Sequence, residues 1–383
     1  MNLSSAQLKL FQQTPTPFYA YDLNLLTQTL ESLTQEANKY NYIVHYAVKA
    51  NSNEKILRTV KKFGLGADCV SGNEVKRAIA CGFEPNHIAF AGVGKTDNDI
   101  RFAVEQNIFS LNVESIQEIE VINEIAKSLN KTANIALRIN PDVNAKTHKY
   151  ITTGLEENKF GINIWELETI REKLERCNHI SLKGLHFHIG SQITDLTPFK
   201  NLCTRVNEIQ QWFIEHKISI EHINVGGGLG VNYQEPDSFS VVDFKAYFSV
   251  FNEFLELQPN QEVHFELGRA IVANCGSLIS KVLYVKNGIK TNFAILDAGM
   301  TELIRPALYQ SYHKIENITP QANEITKYDV VGPICESSDC FGKAVDLPVT
   351  QRGDLIAIRT TGAYGEVMAS FYNLREKAEV VYY

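Results

Sequence analysis

At 383 residues the chain exceeds what one hydrophobic core usually serves, so two domains are expected. A net charge of −7, with 44% apolar and 21% charged residues, excludes a basic nucleic-acid footprint, and no apolar run approaches the ~20 residues that span a bilayer. Seven scattered cysteines in no zinc spacing, and an N-terminal stretch without a signal-peptide pattern, point to a soluble cytoplasmic protein without nucleic-acid or membrane partners.

Residues 1–24 read as a polar lead followed by a short aromatic strand at 17–22. From there to about residue 270, apolar runs alternate with amphipathic helical segments. Strands are expected at 42–49, 66–71, 87–92, 108–114, 134–140, 183–190, 222–228 and 262–267. Helices are expected between them at 53–63, 72–81, 97–106, 115–128, 165–177, 198–216 and 242–257. Eight strands interleaved with helices over roughly 250 residues predict an α/β fold whose parallel sheet closes into a (β/α)8 barrel. An open doubly wound sheet competes, but no dinucleotide fingerprint follows the first strand. Beyond about residue 272 the pattern turns to strands. Runs at 281–286 and 291–296 flank Asn287-Gly288, a hairpin signal, and further runs lie at 329–334, 354–359 and 378–383. The expectation is a barrel over 25–272 and a second, mainly antiparallel β domain from 1–24 plus 273–383.

Barrel enzymes place their chemistry at the C-terminal ends of strands, and those ends are polar here. The first ends at Lys49, where neighbours can depress an amine's pKa enough to make it a nucleophile. Asp68 lies on the second strand and Arg138 on the fifth. His186 and His188, two apart, share a strand face, as either a metal pair or a stacking imidazole beside a structural one. Metal ranks below stacking, since no further ligand set is evident. The glycine-rich loop 226–230 leaves room for backbone N–H groups to cradle a phosphate. Glu266, in a buried strand, requires a cation, met by an arginine or by a protonated ring nitrogen. Amine, phosphate cradle, ring stacker and buried acid together describe a pyridoxal phosphate site.

Tyr46-Ala47-Val48-Lys49-Ala50-Asn51, His188-Ile189-Gly190-Ser191-Gln192, Gly226-Gly227-Gly228, Glu266-x-Gly268-Arg269 and Gly362-Ala363-Tyr364-Gly365 resemble the fold-type III pyridoxal phosphate decarboxylases, whose architecture is alanine racemase-like. More narrowly, Gly92-x-Gly94-Lys95-Thr96, the stretch 148–154, Lys159-Phe160-Gly161, Leu303-Ile304-Arg305-Pro306-Ala307-Leu308-Tyr309 and Cys335-Glu336-Ser337 resemble the diaminopimelate decarboxylases. The resemblance runs through nearly the whole chain in the family's order.

The resemblance implies roles at the matching positions. Lys49 would link covalently to the cofactor, with Asp68 beside it, His188 stacked on the ring and Glu266 on the ring nitrogen. Ser191, Gly226, Gly227, Gly228, Gly268 and Tyr364 would hold the phosphate, and Arg138 is a further active-site position. Arg269, Arg305 and Tyr309, with Tyr364, would hold the amino-acid substrate, while Cys335 and Glu336 would come from the partner subunit of a homodimer with shared sites. The implied reaction is decarboxylation of meso-2,6-diaminopimelate to L-lysine, the last step of lysine biosynthesis. Its alternatives are a decarboxylase of ornithine, arginine or carboxynorspermidine, and a non-catalytic homologue. One departure is Leu267, where the family usually has proline.

Overall fold

A computed structural model describes residues 1, 3–143, 159–319 and 324–383 of the chain; the stretch 148–154 named above lies outside them. After a first short strand β1 (Phe18–Tyr21), eight strands follow: β2 (Ile43–Ala47), β3 (Gly66–Cys69), β4 (Ile88–Phe90), β5 (Ser110–Val113), β6 (Ala133–Arg138), β7 (Ile180–His186), β8 (His222–Asn224) and β9 (Glu262–Leu267). Each pairs in parallel with the next, and β9 returns to β2, closing the expected barrel. Helices start promptly after the first strands because the turns end in capping residues. Asn53, Ser71, Thr96 and Ser115 each accept a backbone N–H from the opening turn of the helix that follows. Such a cap contributes about 0.5–2 kcal/mol and fixes where the helix begins.

Alternation along the strands sorts the barrel into an outside and an inside. On β9, Phe265 packs outward against Phe248 and Phe251 of the helix Phe244–Phe254, with ring centroids 4.9 Å apart in both cases. Its neighbours His264 and Glu266 therefore point inward. The same parity places His45, Asp68, Asn112, His186, His222 and Asn224 inside, so this barrel has a polar, hydrogen-bonded interior.

Several expected strands are shorter than their apolar runs. The run 42–49 ends as strand at Ala47, and Lys49 sits in a single 3-10 turn, Val48–Ala50. The Tyr46 hydroxyl donates to the Asn51 carbonyl (2.9 Å), and Asn51 Oδ1 accepts from the Asn53 amide (3.0 Å), which curls the chain off the sheet. Likewise β7 stops at His186, leaving His188 in the loop beyond it.

The second compact unit comprises residues 1–29, 231–242 and 269–383. Its later strands are β10 (Gly276–Asn287), β11 (Asn292–Leu296), β12 (Ile315–Asn317), β13 (Ile325–Val331), β14 (Cys340–Pro348), β15 (Leu355–Ile358) and β16 (Glu379–Tyr382). The sheet runs β12-β15-β10-β11-β13-β14, with β1 joining β10 and β16. Its pairings are antiparallel except β1 with β16 and β11 with β13. Asn287 stays in the ladder opposite Asn292, so the hairpin turn is 288–291. The segment 231–242, which the sequence division assigned to the barrel, belongs to this unit. Asp237 pairs with Arg359 (2.7 Å), and Asn274 donates to the Phe239 carbonyl (3.1 Å). The polar lead also folds: Ser4 and Gln7 form a capping box on the helix Ser5–Gln13, which delivers Phe11 edge-on to Phe18 at 5.4 Å. Phe11, Phe18, Ala20, Ile279, Leu355 and Ala357 are the centre of a buried cluster. Each such phenylalanine contributes roughly 1.5–3 kcal/mol. Among the described residues no helix is long and apolar enough to cross a membrane.

Candidate active site

In the barrel, the polar interior converges on Glu266. His186 Nε2 donates to its Oε2 (2.9 Å), while Asn112 Nδ2 (3.2 Å) and Asn224 Nδ2 (2.7 Å) donate to Oε1. Burial alone would raise this carboxyl's pKa. The His186 contact, with Lys49 and His45 nearby, instead holds it well below the usual carboxylate range. Three donors occupy three of the about four acceptor positions a carboxylate offers, which leaves one for a further N–H.

Lys49 Nζ donates to Asp68 Oδ2 at 3.0 Å. The lysine side chain is 36% exposed and the aspartate fully buried. Burial, and then the Glu266 charge, push Asp68 up to about 7 against the pull of Lys49. Its other oxygen, Oδ1, is buried with no hydrogen-bond partner among the described residues, as is His186 Nδ1. Buried polar atoms left unsatisfied are costly and rare. His188 is half-buried. Burial, followed by the charges of Arg138 and Lys49, lowers its pKa well below the ordinary imidazole value, so the ring is neutral. Its Nδ1 accepts from the Gly227 amide at 3.4 Å.

Arg138 Nη1 pairs with Glu114 Oε1 (2.8 Å) and its guanidinium lies 4.7 Å from the centre of the Phe160 ring. Glu114 in turn accepts from the Gly92 and Gly161 amides, at 2.8 and 3.1 Å. Lys95, buried, bonds the Gly92 and Asn112 carbonyls and Glu118. The glycine-rich stretch 92–96 and the Lys159-Phe160-Gly161 motif thus brace Arg138.

The glycine loop after β8 is shaped by contact as much as by flexibility. Gly226 has φ +69°, and a Cβ there would lie 2.2 Å from the Phe187 carbonyl; one on Gly227 would lie 1.9 Å from the Glu266 carbonyl. Two of the loop's amides already have partners, Asn224 Oδ1 for Gly226 (2.9 Å) and His188 for Gly227. The Gly226 amide is thus held by Asn224, while the His188 contact of Gly227 is long. Ser191 is half-buried in the loop beyond β7, and Gly268 packs against Ala47 and Ala50.

In the second unit, Arg269 and Arg305 lie among tyrosines. Arg269 Nη1 donates to the Tyr233 hydroxyl (2.6 Å), and its guanidinium lies 4.8 Å from the Tyr364 ring centre. Arg305, only 6% exposed, has the rings of Tyr233, Tyr309 and Tyr364 at 5.8, 5.9 and 6.0 Å. Its Nε donates to His313 Nε2 (3.4 Å) and its Nη2 to Ser311 Oγ (3.3 Å). Burial and the Arg269 charge lower its pKa, with the tyrosines countering. Tyr364 adopts φ +57°, uncommon for a residue with a side chain. Cys335 and Glu336 lie on an exposed turn between β13 and β14. The Cys335 amide donates to Asn373 Oδ1 (3.4 Å), and the Tyr372 hydroxyl donates to Glu336 (2.9 Å).

Sequence reasoning missed Asn112, Asn224, Glu114, Tyr233 and His313. The two asparagines carried a signal, being polar residues at inward positions of buried strands; Tyr233 and His313 carried none. Among the described residues no group of three or more histidines, cysteines or acids is placed to hold a metal ion. Of the histidine pair, His186 is bonded through Nε2 to Glu266.

Residues 24–273 match the family model described as "Pyridoxal-dependent decarboxylase, pyridoxal binding domain". The chain is 58% identical over 367 residues to a diaminopimelate decarboxylase of Bacteroides thetaiotaomicron, covering 96% of this chain and 95% of that protein. The crystal structure of diaminopimelate decarboxylase from Helicobacter pylori complexed with L-lysine superposes with a TM-score of 0.92 at 42% identity, covering 98% and 93% of the two chains. The M. jannaschii enzyme in co-complex with L-lysine gives 0.89 at 36% identity, covering 98% and 89%. The chain belongs to the pyridoxal-dependent decarboxylases and, within them, to the diaminopimelate decarboxylases.

Proposed function

We propose that the protein decarboxylates meso-2,6-diaminopimelate to L-lysine and CO2 with pyridoxal phosphate as cofactor, as the last step of lysine biosynthesis. The observation that carries the reading is Glu266, a buried carboxylate kept ionised by His186, Asn112 and Asn224 with one acceptor position open. A pyridinium N–H would fit that position, and Asp68 Oδ1, buried without a partner among the described residues, is a further acceptor beside Lys49. Bound pyridoxal phosphate supplies an electron-withdrawing ring that stabilises the carbanion left when CO2 departs.

The chain's own residues do the rest. Glu266 holds a proton on the ring nitrogen. Lys49 anchors the cofactor through its amine, with Asp68 orienting that amine. Neutral His188 would stack on the ring, and Ser191, Gly226, Gly227, Gly228, Gly268 and Tyr364 would hold the phosphate. Arg269, Arg305 and Tyr309 bind the carboxylate that remains at the distal centre, and Glu336 takes the distal amine. Cys335 returns a proton to the carbon that lost CO2.

The assembly we propose is a homodimer in the cytoplasm, each site completed by Cys335 and Glu336 of the partner. The turn that carries them lies against 372–374, and the apolar side chains there are open: Phe371 is 68% exposed and Leu374 95%. The test is CO2 release by the cofactor-loaded protein from meso-diaminopimelate, ornithine, arginine and lysine. Diaminopimelate should be preferred; preference for ornithine or arginine would overturn the assignment.

A further inference from the structure

The neutral surroundings of Arg305 contain a directional device. A guanidinium has five N–H bonds in a rigid fork, and a carboxylate can take it side-on through Nε and one Nη, or end-on through both Nη atoms. Which edge is offered depends on what already occupies the others. Here the Nε–H is committed to His313 Nε2 (3.4 Å) and one Nη2–H to Ser311 Oγ (3.3 Å), so the side-on edge is closed. What remains is Nη1 with the second Nη2–H, the end-on edge.

His313 can accept from Nε only in one tautomer, and its other nitrogen fixes that tautomer. Nδ1 lies 2.9 Å from the Arg359 carbonyl oxygen, which can only accept, so Nδ1 carries the hydrogen and Nε2 presents its lone pair. His313 is 2% exposed, and the Tyr233 ring packs edge-on to it at 5.1 Å. Burial, then the Arg305 charge, brings its pKa down to about 3, so the acceptor persists at working pH.

We propose that His313 is a positioning residue for substrate recognition: by engaging the Nε edge of Arg305 it turns the end-on edge toward the distal carboxylate. This rests on Arg305 being the carboxylate's partner, as proposed above. The consequence is a selective one. Ligands that keep the distal carboxylate depend on His313, and ligands that lack it do not.

The experiment compares His313→Leu with His313→Gln in the cofactor-loaded enzyme. Glutamine can donate to the Arg359 carbonyl and accept from Arg305; leucine can do neither. Three quantities are read: KM and kcat for meso-diaminopimelate, the inhibition constant of L-lysine, and that of cadaverine, which is L-lysine without its carboxylate. His313→Leu should raise KM and the L-lysine constant roughly tenfold, the scale of one lost hydrogen bond to a charged group, while kcat falls far less. Cadaverine inhibition should stay within about twofold, because no term of this kind is lost. His313→Gln should recover most of the difference. If both inhibitors weaken alike, or if glutamine behaves as leucine does, His313 is merely structural and the proposal fails. If His313→Leu does not fold, His313→Gln beside Ser311→Ala decides: Ser311→Ala must weaken L-lysine more than cadaverine. A wild type that does not turn over diaminopimelate would instead sink the functional reading, a separate outcome.

Discussion

The barrel site and the arginine–tyrosine cluster handle buried charge in opposite ways. Within the barrel, Glu266, Asp68 and Glu114 each have a cationic or N–H partner from the protein itself. In the second unit, Arg305 is buried against an imidazole, a hydroxyl and three aromatic rings, all neutral. Because an isolated buried charge is costly, a cation held only by neutral groups gains most when an anion arrives. In the function proposed above, the first region is organised in advance to stabilise charge that develops during reaction, and the second to recognise charge that the substrate brings. Substitutions should therefore separate into those that stop chemistry and those that change selection.

The largest effect should come from Lys49→Ala. It removes the only amine proposed to anchor the cofactor, so the borohydride-trappable link and nearly all turnover should vanish while the fold persists. Covalent labelling through another lysine would undo the assignment. The same variant tests the shared site. Mixed with Cys335→Ala and allowed to exchange subunits, it should regain activity, because each heterodimer then carries one intact site. Heterodimers verified by native mass spectrometry but inactive would exclude sharing.

Glu266→Gln comes next. The amide keeps the shape but not the charge, so the ring nitrogen loses its reason to stay protonated and single-turnover decarboxylation should slow by about a hundredfold or more. Cofactor affinity should change less. An unchanged rate would mean that another group serves the ring nitrogen.

Arg305→Ala should act on selection. Losing a hydrogen bond to a charged group costs roughly 1.5–3 kcal/mol, so kcat/KM for diaminopimelate should drop by about 10- to 150-fold. The residual turnover of lysine or ornithine should be spared. Equal loss for all substrates would place Arg305 outside distal-carboxylate recognition and erase the contrast drawn between the two regions.

How far these features were legible follows from their physical origin. The barrel was, because alternating apolar runs and prompt caps such as Ser71 and Ser115 are local signals. The strand β14 was not: half-buried Gly342 and exposed Lys343 and Ala344 carry no apolar alternation, and it is held by pairing with β13. The helix Ser5–Gln13 was legible after all, since Ser4-x-x-Gln7 is a capping box and Phe11 its buried residue. At the site, Lys49 and Glu266 stood out as charged residues against apolar strands. Tyr233 and His313 did not, because their meaning lies in contacts with Arg269 and Arg305, 36 and 8 residues away in sequence, that only the fold brings about. Strand ends were misplaced where side chains cut the ladder short, as Tyr46 and Asn51 do before Lys49.

The smallest expected effect is on stability, and it sharpens the contrast from another side. Below Glu266 the barrel interior holds His45, His222 and His264, gathered around Phe109 with ring centroids 4.8–5.6 Å from it. His45 Nε2 and His264 Nδ1 share a hydrogen bond of 2.8 Å, while His222 Nε2 is buried without a partner among the described residues. Burial lowers His45 to about 4 and His222, with His45 and His186 adding, to about 3; His264 moves the same way. An unfolded histidine titrates near 6.5, so acid protonates the unfolded chain first. The stabilising contribution is therefore complete above about pH 6.5 and is lost as pH falls, at about 1.4 kcal/mol per pH unit for each group. Asp68, raised to about 7, works in the opposite sense: its contribution is present at low pH and is lost as pH rises through about 7. One such aspartate offsets one histidine of the three, so the net barrel response is acid lability. In His222→Gln the acid limb of stability between pH 6.5 and 4, measured by urea unfolding, should be shallower than wild type by about 1.4 kcal/mol per pH unit. An unaltered slope would mean that His222 takes up its proton in the folded barrel, and that the polar interior is wetter than its buried, unpartnered nitrogen implies.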